Sequence, residues 1–347
     1  MWLTIISFVL VLSVVILVHE FGHFLAAKKT GVKVEEIGLG FPPKMASFKK
    51  NDREYSINWI PLGGFVRLKG QGDRSVQTKD SFNTKKVWQR GLIMSAGVLM
   101  NVVLAIVVFT FGFTLGLPSA IGDEVPGAQI SDKKIQIYEV VENTPADKAG
   151  LKTGDTLKSI DGKTYTEIEN LKEYYADKDG QTLNLVISRG GEIINKNITL
   201  EKIDKSEQAK MGVTLVNTGI VSFPLHLAVW NGIKSTFIML WQIILGFYNL
   251  IKNALVSHQI SADVAGPVGI AVITGQMAKM GFVYILEFIG MLSLTLALIN
   301  FLPLPALDGG HLLFLVIEKI KGSRVNERVE NAIHTFGFYL IIILFFT

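Results

Sequence analysis

Cysteine is absent from all 347 residues, which removes disulfide scaffolds, thiol nucleophiles and thiolate metal sites in one step. Any metal bound by this chain must therefore be held by His, Asp or Glu. Charge is scarce as well. Asp, Glu, Lys and Arg make up 18% of the residues, against about 25% in ordinary soluble domains. Meanwhile 49% of the chain is hydrophobic and the mean hydropathy is +0.38. That balance excludes an ordinary cytosolic enzyme and implies that lipid solvates much of the chain. There is no phosphate loop, dinucleotide fingerprint or basic run interleaved with aromatics, so nucleic acid is not an expected partner.

Four apolar runs have the length of a membrane span. They cover 2–18 (continuing through His19, Glu20 and His23), 91–117, 282–302 and 332–346. No basic stretch precedes the first, so it is read as a span rather than a cleaved signal peptide. A fifth apolar stretch, 225–256, carries Asn231, Ser235, Gln242, Asn249 and Asn253 at roughly helical spacing. This polar stripe predicts an amphipathic helix on the membrane surface.

Residues 28–90 carry 14 Lys and Arg against 6 acids, and 318–330 carry 4 against 3, whereas 118–224 carry 13 against 17. The positive-inside rule places the first two segments in the cytoplasm and the third outside, with both termini outside. The fold class expected is a multi-span α-helical membrane protein with a cytoplasmic, membrane-associated β-hairpin or sheet region and one extracytoplasmic α+β domain. Its plan is a first span at 1–27, the β region at 28–90, a second span at 91–117 and the outer domain at 118–224. A surface helix at 225–256, a re-entrant or linker segment at 257–280, a third span at 281–317, a loop at 318–330 and a fourth span at 331–347 follow.

The outer insert contains Glu142-Asn143-Thr144-Pro145-Ala146-Asp147-Lys148-Ala149-Gly150-Leu151, then Gly154-Asp155 and Ile160-Asp161-Gly162. Gly150, Gly154 and Asp161-Gly162 supply turns, and Val140, Leu157 and Ile160 read as buried strand positions. The segment resembles a PDZ domain, a module that binds extended peptides by adding a strand to a sheet edge.

The chemistry is carried by His19-Glu20-Phe21-Gly22-His23, an H-E-x-x-H motif. Residues four apart share a helix face, so both imidazoles can reach one zinc ion, with Glu20 beside them to act on its water. Two histidines and a carboxylate at membrane depth are costly without a purpose. A catalytic zinc takes three protein ligands and keeps one open position. The best third candidate is Asp308 in Asn300-Phe301-Leu302-Pro303-Leu304-Pro305-Ala306-Leu307-Asp308-Gly309-Gly310-His311, with His311 as a rival. The first and third spans run in the same direction, so Asp308 arrives at the depth of the histidines. Pro303 and Pro305 break the helix, and irregular backbone at that depth must line a cavity or be buried in protein.

Together these motifs resemble the site-2 protease family of intramembrane zinc metalloproteases across nearly the whole chain. The resemblance implies that His19, His23 and Asp308 bind zinc and that Glu20 is the catalytic acid and base. It also implies that Asn300, Pro303 and Pro305 hold the substrate, with Asn101, Gly63 and Gly64 as weaker substrate-binding candidates. Segments 38–41, 55–60 and 61–68 read as short strands joined by turns. In the family such a region dips into the membrane and catches an unwound substrate by strand addition. Ser95-Ala96-Gly97-Val98-Leu99-Met100-Asn101 departs from the Gly-Pro pattern of many relatives, and this chain has room for one PDZ domain where enterobacterial relatives carry two.

The expected activity is zinc-dependent endopeptidase cleavage within or near transmembrane segments. Its expected partners are the bilayer, single-span membrane proteins such as an anti-sigma factor or remnant signal peptides, and a peptide or substrate tail at the PDZ domain. The expected location is the cytoplasmic membrane. The competing class is a membrane-embedded PDZ receptor or scaffold with a structural or vestigial metal site. Metal transport would need an ionisable path, and Glu287 alone supplies little of one.

Overall fold

The computed structural model describes residues 2–121, 126–202, 209–256 and 266–346. In chain order the elements are α1 (Trp2–Thr30), β1 (Val34–Lys50), β2 (Arg53–Leu68), α2 (Val87–Leu115), β3 (Leu117–Ala120) and β4 (Gln129–Val140). They continue with α3 (Pro145–Lys148), β5 (Thr156–Ile160), α4 (Ile168–Tyr175), β6 (Thr182–Arg189), β7 (Glu192–Thr199), β8 (Glu201–Lys202), β9 (Ala209–Lys210) and β10 (Val213–Ser222). The last five are α5 (Leu225–Val256), α6 (Pro267–Met280), α7 (Phe282–Phe301), α8 (Asp308–Lys321) and α9 (Glu327–Phe346). Two compact units result, one of Met1–Phe111 with Val229–Thr347 and one of Gly112–Ala228.

The second unit is the insert. Its main sheet has the order β3-β10-β4-β5-β6-β7. Along β6 the buried positions Leu183, Leu185 and Ile187 alternate with more exposed ones, the period-two signature of a strand with one face in a core. On α4, Ile168, Leu171 and Tyr175 are buried at helical spacing and close over that face with Ile135, Leu157, Ile160 and Ile198. Each such side chain contributes about 1.5–3 kcal/mol. Asp155 is fully buried and takes Arg189 in a two-pronged ion pair, with both contacts at 2.7 Å, while Lys152 N–H donates to it at 2.9 Å. Removing one partner of a buried pair costs about 3–5 kcal/mol. Arg189 is 31% exposed, so Asp155→Ala is expected to destabilise the insert by roughly 2–3 kcal/mol. Pulse proteolysis in urea should show a lower midpoint for the insert's cleavage, and an unchanged midpoint would remove this pair from the account of its stability.

In the first unit, α1 buries Ser7, Val11, Val15, His19, Gly22, His23 and Ala26, a single stripe with a spacing near four, while its other faces are apolar and exposed. A helix apolar on all sides with one packed stripe fits a lipid surround. Among the described residues, α1, α2, α5 and α7 are long and apolar enough to cross a membrane. α5 therefore meets the length and composition of a span as well as those of the surface helix its polar stripe predicts. The described part of the expected re-entrant or linker segment, 267–280, is the helix α6, and residues 257–265 lie outside the described residues. At 1.5 Å per residue its 14 residues run about 21 Å, short of the roughly 30 Å hydrocarbon core. It packs on α1 and α7 through Ile270, Ile273 and Met277. The third-span segment divides into α7 and α8, separated by the proline-bearing stretch 302–307.

Instead of three short strands, residues 34–68 form two long strands that each bend. Four rungs lie side by side, 64–68, 34–39, 54–57 and 46–50, on the registers Ile37↔Val66, Ile37↔Tyr55 and Phe48↔Tyr55. The bends fall at glycine, where turns were expected. Gly40 has φ +78°, and a Cβ there would strike the Ile60 carbonyl. The buried Glu36 holds the rungs together through the Ser56 hydroxyl at 2.7 Å, Lys44 at 3.1 Å and Arg67 at 3.1 Å. Farther along, the Thr78 hydroxyl and the Lys69 ammonium hold the Asp80 carboxyl down at about 2, below the usual carboxylate range.

Candidate active site

α1 positions two imidazoles one turn apart on its buried stripe, and α8 brings Asp308 to them. His19 Nε2 lies 3.1 Å and His23 Nε2 3.2 Å from Asp308 Oδ2, and the two Nε2 atoms are 3.2 Å apart. Local backbone explains how Asp308 reaches this place. It opens α8 directly after the Pro303–Leu307 stretch, and Gly309 and Gly310 press against the carbonyls of Leu302 and Leu304, where side chains would collide. Gly22 does the same for α1 against the Ala96 carbonyl of α2. Gly97 leaves the space open, since a Cβ on it would strike His23 Nε2 and lie 2.7 Å from His19 Nε2.

The His23 Nδ1–H donates to the Ile93 carbonyl at 2.8 Å, which leaves Nε2 as a lone pair. His19 Nδ1 lies 3.4 Å from the amide of Asn101, whose Oδ1 is buried without a partner. Turning that amide end for end lets Oδ1 accept the Nδ1–H and frees the second Nε2 in the same way. Two imidazole lone pairs then face Asp308 Oδ2, which is itself buried without a hydrogen-bond donor. A shared cation reconciles them. A tetrahedral zinc with ligands at about 2.0–2.1 Å separates its donors by about 3.3 Å, close to the separations observed, so the donor set fits zinc.

Glu20 lines a cleft of 480 Å³ between α1 and the sheet, walled by Leu17, Phe21, Phe24, Ile37, Gly38 and Val66. A Cβ on Gly64 would lie 3.8 Å from Glu20 Cγ, so this glycine borders the carboxylate, and Gly63 (φ +105°) bends the strand beside it. Asn300 is half-buried at the end of α7 and Pro303 is exposed. Pro305 packs on Gly337 of α9. Asn101, a weaker substrate-binding candidate, is fully buried; its side chain faces His19 and its carbonyl accepts from the Ser293 hydroxyl at 2.9 Å. Its place is behind a histidine, away from the cleft. His311, the rival ligand, lies outside the trio and stacks on His334 with ring centroids 4.0 Å apart.

The model of Peptidase family M50 matches residues 7–344. The chain belongs to this family. It is 33% identical over 339 residues to a Clostridium perfringens protein named as a zinc metalloprotease, with 97% of this chain and 95% of that one covered. It is also 28% identical over 432 residues to the regulator of sigma-E protease RseP of Escherichia coli, with 97% and 95% covered. The solved PDZ domain of an SdrC-like protein from Listeria monocytogenes covers 25% of this chain and 92% of its own at 25% identity, with a TM-score of 0.24, too slight an overlap to class the insert. As an M50 peptidase the protein is a zinc-dependent metalloprotease of the membrane.

Sequence reasoning missed Gly22, Gly97 and the Ile93 carbonyl. Only Gly22 carried a visible signal, its place inside H-E-x-x-H. Gly97→Ala is expected to put a methyl among the donor atoms and to lower bound zinc at least tenfold relative to wild type, measured by metal analysis of purified protein. Full zinc content in that variant would show that α2 does not border the ion as the backbone indicates.

Proposed function

We propose that this M50 peptidase hydrolyses peptide bonds within or next to the transmembrane segment of single-span proteins, with Glu20 as general base and then general acid. The observation that carries the reading is the placement of the Glu20 carboxylate in an apolar cleft. The converging His19, His23 and Asp308 sit behind it and sheet backbone lies in front. A zinc ion held by those three residues would polarise the scissile carbonyl and acidify a water at its open position. Glu20 takes the proton of the attacking water and later passes it to the leaving amine.

A helical substrate keeps its scissile carbonyl hydrogen-bonded within the helix. It must unwind, and the rung 64–68 pairs on one side only among the described strands, which leaves backbone groups for an extended segment to meet. Trp59, Phe48 and Met45 expose large apolar surface on this sheet, in keeping with a region that dips into lipid. Asn300, near the end of α7, and Pro303, just after it, are assigned to substrate contact. The insert is placed outside the cell, α5 lies along the outer surface of the cytoplasmic membrane, and the insert excludes substrates whose outer domain is still attached or receives their new carboxyl terminus.

The test is reconstitution with two forms of one single-span substrate, one with and one without a folded outer domain, each with and without a chelator. Cleavage of the trimmed form alone, abolished by the chelator, is the expected pattern. Equal cleavage of both forms would end the exclusion role of the insert.

A further inference from the structure

The stretch that presents Asp308 is held in an unfavourable conformation. Ala306 has φ +72°, a left-handed backbone that residues with a Cβ rarely adopt, so its surroundings must impose it. One such constraint comes from α9. His334 Nδ1 accepts the Ala306 N–H at 2.9 Å, and one turn farther on Gly337 lies against Pro305, where any side chain would collide. The His334 ring is in turn fixed by the ring of His311, three residues beyond Asp308 on α8, with 17° between the planes.

We propose that His334 is a positioning residue of the peptidase, its Nδ1 lone pair fixing the Ala306 N–H and thereby the loop that aims Asp308 at the histidine pair. This rests on the reading of Asp308 as a metal ligand. The same residues do not make a second metal site, although His311, Glu330 and His334 each bring a ligand atom within 4.8 Å of the others. With Nδ1 accepting, the proton of a neutral imidazole sits on Nε2, which has no lone pair left to give. Glu330 is already paired with Arg74. That pair has its own purpose in the device. Arg74 also donates to the Val325 carbonyl at 2.6 Å, and its N–H donates to Glu327 at 3.0 Å, so the start of α9 is tied to the segment that follows β2.

The test exploits side-chain geometry in the full-length, detergent-purified protein. Asn places an acceptor oxygen near the position of Nδ1, whereas Gln places it near Nε2. H334Q and H334A are expected to lower kcat about tenfold or more with KM little changed, and to release zinc to a chelator about tenfold faster, as loss of a partner that orients a ligand does. H334N should restore both to within about threefold of wild type. A general packing defect would treat Asn and Gln alike, so equal behaviour of H334N and H334Q overturns the proposal, as do wild-type zinc release in all variants or a second zinc per chain lost in H334A. If H334A does not fold, the Asn and Gln pair carries the comparison. Asp308→Ala is run alongside: its retention of zinc overturns the underlying reading and the proposal together. Zinc loss in Asp308→Ala with no effect at His334 overturns the proposal alone.

Discussion

Glu20→Gln is expected to retain one zinc per chain while cleavage of a single-span substrate falls by a factor of about 10²–10⁴ or more, the usual contribution of a positioned acid or base. Gln keeps the shape and the hydrogen-bonding capacity of the side chain but cannot take a proton from water or return one to an amine. Because Glu20 is outside the trio of converging donor atoms, the metal should be indifferent to the change. Two measurements on one preparation check this, zinc by elemental analysis and product by gel or mass spectrometry. Cleavage within tenfold of wild type in a zinc-loaded variant would remove Glu20 from the chemistry. Zinc loss would instead make it a ligand.

Asp308→Ala is expected to weaken zinc binding by more than about 100-fold, since changes beyond the ligands already cost 10–100-fold, and to abolish cleavage with it. The carboxylate supplies the only negative charge among the three converging donors, and two neutral imidazoles do not make a tight site in competition with a chelator. Loss of a first-turn acid costs α8 only about 0.3–1 kcal/mol, and Asp308→Asn, nearly isosteric, separates loss of charge from loss of shape. Full zinc occupancy in both variants would sink the site as built here.

Much of the site was legible because its signals are local or chemically exclusive. H-E-x-x-H places two imidazoles on one face through helix geometry alone, and the lack of cysteine left only His, Asp or Glu for the third donor. Asp308 was nominated by a proline-broken segment at matching depth, and its distance from His19 then came from the packing of α8 on α1. The sheet was less legible. Short strands were expected where two long strands bend at Gly40 and Gly63, because a glycine that bends a continuing strand and one that ends it look the same in sequence. The surroundings of Asn101 were not legible, for a related reason. A polar residue in an apolar run announces that it has a partner, but which helix supplies the partner depends on rotation about the helix axis.

The sequence by itself determined the class of chemistry, the ligand types, the presence of membrane-length helices and an intervening domain, since these follow from composition and from spacings of a few residues. Only the tertiary structure decided that Gly22 and Gly97 clear the space for an ion, that Ile93 and Asn101 set the imidazoles, and that α9 holds the loop before Asp308. Those facts depend on close approach between segments 28 to 82 residues apart. Such approach is set by packing of whole helices, to which no local pattern corresponds.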